Sequence, residues 1–190
     1  MLALQRKIIL ASKSPRRSQL LSQAGFQFEI KTKEVQEDFP ETMPVEDVAE
    51  YLAIKKARAS KEVIKEGEIL LAADSVVILN NVIYGKPKDR ADAQQILKAL
   101  SGQQHQVITG VCLLSQNKQV SFSGISKVYF KELTTEEIDF YIDKYQPYDK
   151  AGAYAIQEWI GLCKIRKIEG TYANIMGLPV DLVFEHLAEF

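Results

Sequence analysis

Residues 69–79, Ile-Leu-Leu-Ala-Ala-Asp-Ser-Val-Val-Ile-Leu, form the most hydrophobic run in the chain and limit its fold more than any other stretch. The run is well short of the roughly 20 apolar residues that span a bilayer, and its near-continuous apolar character suits a strand buried on both faces. Such a strand belongs in a sheet with helices packed outside it, an α/β architecture. Asp74 interrupts the run. An ionised carboxylate there is costly unless a cation faces it, so Asp74 is salt-bridged, at a metal, or in a cleft where the strand emerges. That cost favours a functional role. Asn80-Asn81 then makes a tight hairpin turn into Val82-Ile83-Tyr84, which brings Gly85-Lys86-Pro87 back beside the strand.

A second constraint lies near the N-terminus, where Ile8-Ile9-Leu10-Ala11 leads into Ser12-Lys13-Ser14-Pro15-Arg16-Arg17. This reads as strand, turn, helix: Ser14 suits the N-cap, Pro15 the first helical position, and Gly25 the end. Two arginines in a first helical turn oppose the helix dipole, by about 0.3–1 kcal/mol each. A negative partner offsets that cost. Arg forks match phosphate oxygens, so the turn is either a phosphate site or a helix start whose arginines pair with carboxylates elsewhere.

The rest alternates between helix and strand. Residues 26–30 read as a short strand and 31–44 as a polar loop whose Glu34, Glu37, Asp38 and Glu41 are expected to be solvated. Residues 45–65 show the three-and-four apolar spacing of an amphipathic helix. Lys55, Lys56 and Lys61 decorate it, although a lysine beside the apolar seam could reach into a cleft. A helix is expected over 89–100, strands over 104–114 and 119–131, and a capped helix from Thr134-Thr135-Glu136-Glu137 through Tyr145. In the last third, small residues at Ala151, Gly152 and Ala153 beside Asp149-Lys150 and Gln157 allow close approach of a ligand or of backbone. A strand over 163–168, a corner containing Gly170-Thr171-Tyr172 and Gly177-Leu178-Pro179, and a terminal helix complete the chain.

Several classes are excluded. A net charge of −1 leaves no basic excess for a nucleic-acid polymer, so any phosphate site is a local pocket. Cys112 and Cys163 have neither metal nor redox spacing and read as small buried residues. His105 and His186 are too few for a histidine triad or metal site. With no signal-peptide core or membrane-length run, a cytoplasmic location and no membrane partner are expected.

Taken in order, Ser12-Lys13-Ser14-Pro15-Arg16-Arg17, Ala73-Asp74-Ser75-Val76-Val77, Gly85-Lys86-Pro87, Leu100-Ser101-Gly102 with His105 and Thr109-Gly110-Val111, Asp149-Lys150-Ala151-Gly152-Ala153-Tyr154 with Ile156-Gln157, and Gly170-Thr171-Tyr172 with Gly177-Leu178-Pro179 resemble the motifs of the Maf family of nucleoside triphosphate pyrophosphatases. The Asp-Lys-Ala-Gly-Ala-Tyr and Ile-Gln stretch is similar to the dTTP/UTP branch. Over residues 1–190 the resemblance implies a single α/β domain of the Maf/inosine-triphosphatase kind, with a central twisted mixed sheet flanked by helices and two lobes around a nucleotide-binding cleft. It implies hydrolysis of dTTP or UTP to monophosphate and pyrophosphate with Mg2+ or Mn2+, in a protein that is often a homodimer. Two departures stand out: Gln36-Glu37 where the family carries Asp-Glu, and Asp74-Ser75 where it carries Asp-Thr.

The residues fit that chemistry. Arg16, Arg17, Lys56, Lys86 and Lys150 supply charge against a triphosphate. Asp74 and Glu37 offer oxygen ligands to a divalent metal, which keeps waters and phosphate oxygens besides. Asp74, Lys56, Lys86 and Arg16 are therefore assigned to catalysis. Ser12, Ser14, Arg16, Arg17, Lys150 and Gln157 are assigned to substrate binding, with Gln157 facing the pyrimidine edge or the attacking water. A nucleotide-binding regulator of cell division that hydrolyses weakly, and a different phosphohydrolase, are the alternatives.

Overall fold

A computed structural model describes residues 2–190. The apolar run forms β3 (Glu68–Leu79), buried along almost its whole length. It lies inside a seven-stranded sheet with the order β2-β1-β3-β5-β6-β7, where β1 is Lys7–Leu10, β2 Phe28–Ile30, β5 Gln104–Leu114, β6 Gln119–Phe130 and β7 Ile165–Glu169. β4 (Val82–Tyr84) pairs with β3 off this path. The sheet is mixed: β1 runs parallel to both β2 and β3, whereas β3–β4 and β6–β7 are antiparallel. Asn80 and Asn81 take φ of 51° and 62° in the β3–β4 turn, the left-handed pair that a two-residue hairpin demands.

The chain divides into two compact units. The first takes the N-terminal stretch through Asp74, Thr109–Gly124 and Gly177–Phe190. Here α1 (Pro15–Gln23) follows β1, α2 (Val48–Ala59) buries Ala53 and Ala57 against Ile9, Leu70, Ala72 and Cys112, and α7 (Val180–Glu189) ends the chain. Gly110 permits that packing, since a Cβ there would lie 2.3 Å from the Glu50 backbone nitrogen of α2.

The second unit takes Ser75–Ile108 and Ile125–Met176. Its core gathers Val77, Leu97, Leu100, Val128, Phe130, Ile138, Tyr141 and Tyr154 around α3 (Arg90–Leu100) and α4 (Thr135–Tyr145). The expected capping box opens α4, with Thr134 accepting from the Glu137 N–H and Glu137 accepting from the Thr134 N–H. α5 (Trp159–Lys164) precedes β7, and α6 (Tyr172–Met176) forms the corner.

Four expectations need correction. The helix expected over 45–65 is confined to Val48–Ala59, with a separate 3-10 turn at Lys61–Val63. Phe26 is not in a strand, because its N–H closes the end of α1 on the Leu21 carbonyl. Cys163 sits in α5, whose first turn is anchored by Gly161 and Leu162 donating to the Glu158 carbonyl, so the strand begins only at Ile165. Cys163 is also exposed, whereas Cys112 is buried and its thiol pushed up to about 11 by that burial. Among the described residues, no helix is long and apolar enough to cross a membrane.

Candidate active site

In the first unit, β1 delivers the chain to the turn before α1. Ala11 N–H donates to the Leu71 carbonyl of β3 at 2.9 Å, which seats the turn beside the strand that carries Asp74. Ser14 occupies the N-cap position but makes no side-chain capping bond. Ser12 organises the turn instead: its buried Oγ accepts from the Ser14 N–H at 3.2 Å and from Arg17 Nη1 at 3.1 Å. Arg17 also donates through Nε to the Gly177 carbonyl at 2.9 Å, so its fork braces two turns. Burial lowers its pKa, while the carboxylates of Asp74 and Glu37 oppose that shift and Arg16 adds to it. These charges therefore share one neighbourhood.

Asp74 does have the cation its burial demands. Lys56, on α2, donates to Asp74 Oδ1 and, at 2.7 Å, to Glu37 Oε1. The Lys56 and Asp74 side chains are only 17% and 12% exposed. Lys56 is the helix lysine that reaches inward. Its neighbour Lys55 turns to Asp38 at 2.7 Å, and Lys13 pairs with Glu34 at 3.0 Å. Glu34, Glu37 and Asp38 of the loop thus pair with lysines, while Glu34 and Asp38 stay largely exposed, as expected.

In the second unit, the assigned residues cluster around the two 3-10 turns Pro147–Asp149 and Ala151–Ala153. Lys150 is buried, pairing with Asp149 at 2.8 Å and Glu158 at 3.5 Å. The Gly152 N–H donates to the Gly85 carbonyl at 3.1 Å, which brings the segment of exposed Lys86 beside that of Lys150. Gly152 has φ 71° and a Cβ there would meet Val77 at 2.8 Å, so only glycine fits. Gln157 is half-buried, and its Oε1 is sealed from solvent with no hydrogen-bond partner. A buried acceptor left in that state is costly unless a ligand supplies a donor.

His105 is structural, as expected of a lone strand histidine. It hydrogen-bonds Tyr154 Oη at 2.8 Å and meets Phe130 edge-on, and burial holds its pKa down at about 3. Sequence reasoning missed Tyr141 and Glu158. The Tyr141 hydroxyl reaches the segment carrying Gln157, accepting from the Ala155 N–H and donating to the Glu158 carboxylate, and only a pairing 17 residues apart signals it.

Among the described residues, no three His, Cys, Asp or Glu side chains gather into a metal site. Glu37 and Asp74 nevertheless converge on one cationic centre, the Lys56 ammonium, and offer only oxygen donors. That donor set suits a hard divalent ion that takes its remaining ligands from water and phosphate.

A family model described as Maf-like protein matches residues 7–190. A dTTP/UTP pyrophosphatase of Phocaeicola vulgatus is 49% identical over 95% of this chain and 94% of its own. Proteins of the same name from Porphyromonas gingivalis and Flavobacterium johnsoniae are 47% and 45% identical, over 97% and 95% of this chain and 94% and 93% of their own. Among solved structures, the Staphylococcus aureus Ham1 protein is similar at a TM-score of 0.48 and 15% identity, covering 66% of this chain and 72% of that one.

Proposed function

The chain belongs to the Maf-like protein family, and on that premise we propose that it hydrolyses dTTP and UTP to the monophosphate and pyrophosphate by attack of water on the α-phosphorus. The observation that carries the chemistry is the buried Asp74 carboxylate, held beside Glu37 by the shared Lys56 ammonium. A general base needs its proton-accepting oxygen fixed, and an anionic substrate needs cations that can turn toward it. Lys56 supplies both conditions. It fixes Asp74 in the resting protein and carries a charge that a phosphate oxygen can compete for.

Asp74 takes the proton of the attacking water. Arg16, Lys56 and Lys86 stabilise the charge that develops on the leaving pyrophosphate. Ser12, Ser14 and Arg17 shape the anion-binding turn, and Lys150 adds a fixed positive charge on the substrate. Glu37 and Asp74 would hold a divalent cation, which when bound withdraws charge from the phosphate oxygens.

Gln157 supports the base preference. Uracil and thymine present an N3–H donor between two carbonyl acceptors, whereas cytosine presents an acceptor at N3. The Gln157 Oε1, sealed and unpartnered in the resting protein, accepts from the N3–H of the first once its amide turns out to the base, and finds no N3 donor on the second.

The deciding experiment is release of pyrophosphate from a panel of nucleoside triphosphates, with Mg2+, Mn2+ or chelator. Metal-dependent release strongest with dTTP and UTP, in step with monophosphate, is expected. Orthophosphate as the released product, or binding with no release, would refute the reaction.

A further inference from the structure

Tyr141 is a large, fully buried residue of α4 that the proposed chemistry does not use. Its ring stacks on Tyr145, with centroids 5.0 Å apart and planes 28° from parallel. Its hydroxyl makes two contacts, one at each end of the short segment that carries Gln157. It accepts from the Ala155 N–H at 3.0 Å and donates to Glu158 Oε2. The segment itself is a closed turn, with the Glu158 N–H donating to the Ala155 carbonyl at 3.2 Å. Glu158 is further tied to Lys150 through Oε1. One hydroxyl therefore clasps the turn from both ends, while the Oε1 of Gln157 inside it stays buried and unpartnered.

A buried tyrosine with this environment is a dependable donor. Burial and the Glu158 carboxylate push its pKa upward, so the hydroxyl keeps its proton throughout the working pH range. Its aromatic anchor gives it a fixed origin in the core of the second unit. A side chain that discriminates between an N–H and a lone pair must be held to within a fraction of an ångström, and groups behind it do that holding.

We propose that Tyr141 and Glu158 are positioning residues: their clasp holds the 155–158 turn so that Gln157 presents its carbonyl oxygen to the N3–H of a uracil or thymine ring. The inference rests on Gln157 as the reader of the base. It adds a specificity role for two residues that touch no substrate.

The test compares kcat and KM for UTP and CTP, together with melting temperature, in the full chain and in Tyr141→Phe, Glu158→Gln, Glu158→Ala and Gln157→Ala. Tyr141→Phe removes only the hydroxyl. It should lower the UTP/CTP ratio of kcat/KM by about 5- to 10-fold, the worth of one to two lost hydrogen bonds, through a higher KM for UTP. Glu158→Ala should do the same, whereas Glu158→Gln keeps an acceptor for the tyrosine and should keep most of the discrimination. Gln157→Ala sets the full loss. If Gln157→Ala collapses the ratio while Tyr141→Phe and Glu158→Ala leave it intact, the clasp is only structural and the inference is overturned, with base reading by Gln157 still standing. If Gln157→Ala itself leaves the ratio unchanged, base reading fails and the clasp fails with it. Should Tyr141→Phe not fold, Glu158→Ala, on a side chain 18% exposed, carries the same decision.

Discussion

Half-buried Lys56 and buried Lys150 each face a pair of carboxylates, and the two are held differently. Lys56 lies between Asp74 on the central strand and Glu37 on an irregular loop, where the Glu37 side chain is 45% exposed. Lys150 lies between its own neighbour Asp149 and Glu158, and Glu158 is hydrogen-bonded to a tyrosine with no exposure at all. The first arrangement can trade partners, because the Glu37 carboxylate stands on an irregular loop with its side chain 45% exposed. The second cannot, because releasing Glu158 would disturb a packed aromatic core. On the proposed reaction, Lys56 is the cation that moves toward phosphate and Lys150 the cation that stays. Two clusters with the same charges thus differ in what stands behind their carboxylates.

The largest effect expected from breaking this comparison is at Asp74. Asp74→Asn keeps shape and hydrogen bonding but removes the base, and turnover should fall by about 100- to 10,000-fold while circular dichroism stays that of the parent. Near-parental turnover in a folded variant would make the Lys56 cluster as structural as the Lys150 cluster, and the contrast would vanish.

Stability should separate the clusters next. Lys56→Met strands the Asp74 carboxylate in a strand where it is 8% exposed, and should cost about 1–3 kcal/mol, less than a fully buried pair because both side chains keep some solvent. Pairing it with Asp74→Asn should recover much of that stability and none of the activity. Lys150→Met leaves Glu158 on its tyrosine and Asp149 with its side chain 58% exposed, so about 1 kcal/mol or less is expected. Urea unfolding of the variants checks both figures. Equal losses at the two lysines would mean that the tyrosine does not stabilise Glu158 independently.

The two clusters were also unequally legible. Asp74 announces itself because a charge inside an apolar run has few explanations, and the Asn80-Asn81 hairpin and the Thr134 capping box are local chemistry. Helical spacing puts Lys56 on the face of Ala49, Leu52 and Ala53 and Lys55 at its edge, but that Lys56 meets Asp74 and Glu37 depends on where β3 and the loop lie. Ser12 replaces Ser14 as the organiser of the anion turn for a similar reason: the Arg17 fork, pinned to Gly177 160 residues away, selects the earlier hydroxyl. α5 spans six residues, too few for a helical period to show, which is why Cys163 read as strand. The Tyr141–Glu158 bond leaves no periodic trace, since Tyr141 looks like any inward position of an amphipathic helix.

A last effect, absent at neutral pH, probes how the aromatic core of the second unit keeps His105 without charge. His105 is 1% exposed, hydrogen-bonded to Tyr154 and enclosed by aromatic rings, and burial holds its pKa at about 3. An unfolded chain binds a proton there at pH about 6.5, so only the unfolded state takes up that proton as pH falls between those values. The resulting stability is present in full above the unfolded value and is lost on acidification, at about 1.4 kcal/mol per pH unit below pH 6. Nothing changes near pH 8. Replacing the imidazole by an amide in His105→Gln should flatten the curve of unfolding free energy between about pH 6 and pH 4 by that slope, with the Lys56 cluster and turnover at neutral pH unaffected. Parallel curves for parent and variant would mean that the folded chain accepts the proton too, and that the aromatic surroundings of His105 tolerate a charge as the carboxylate-paired site of Lys150 does.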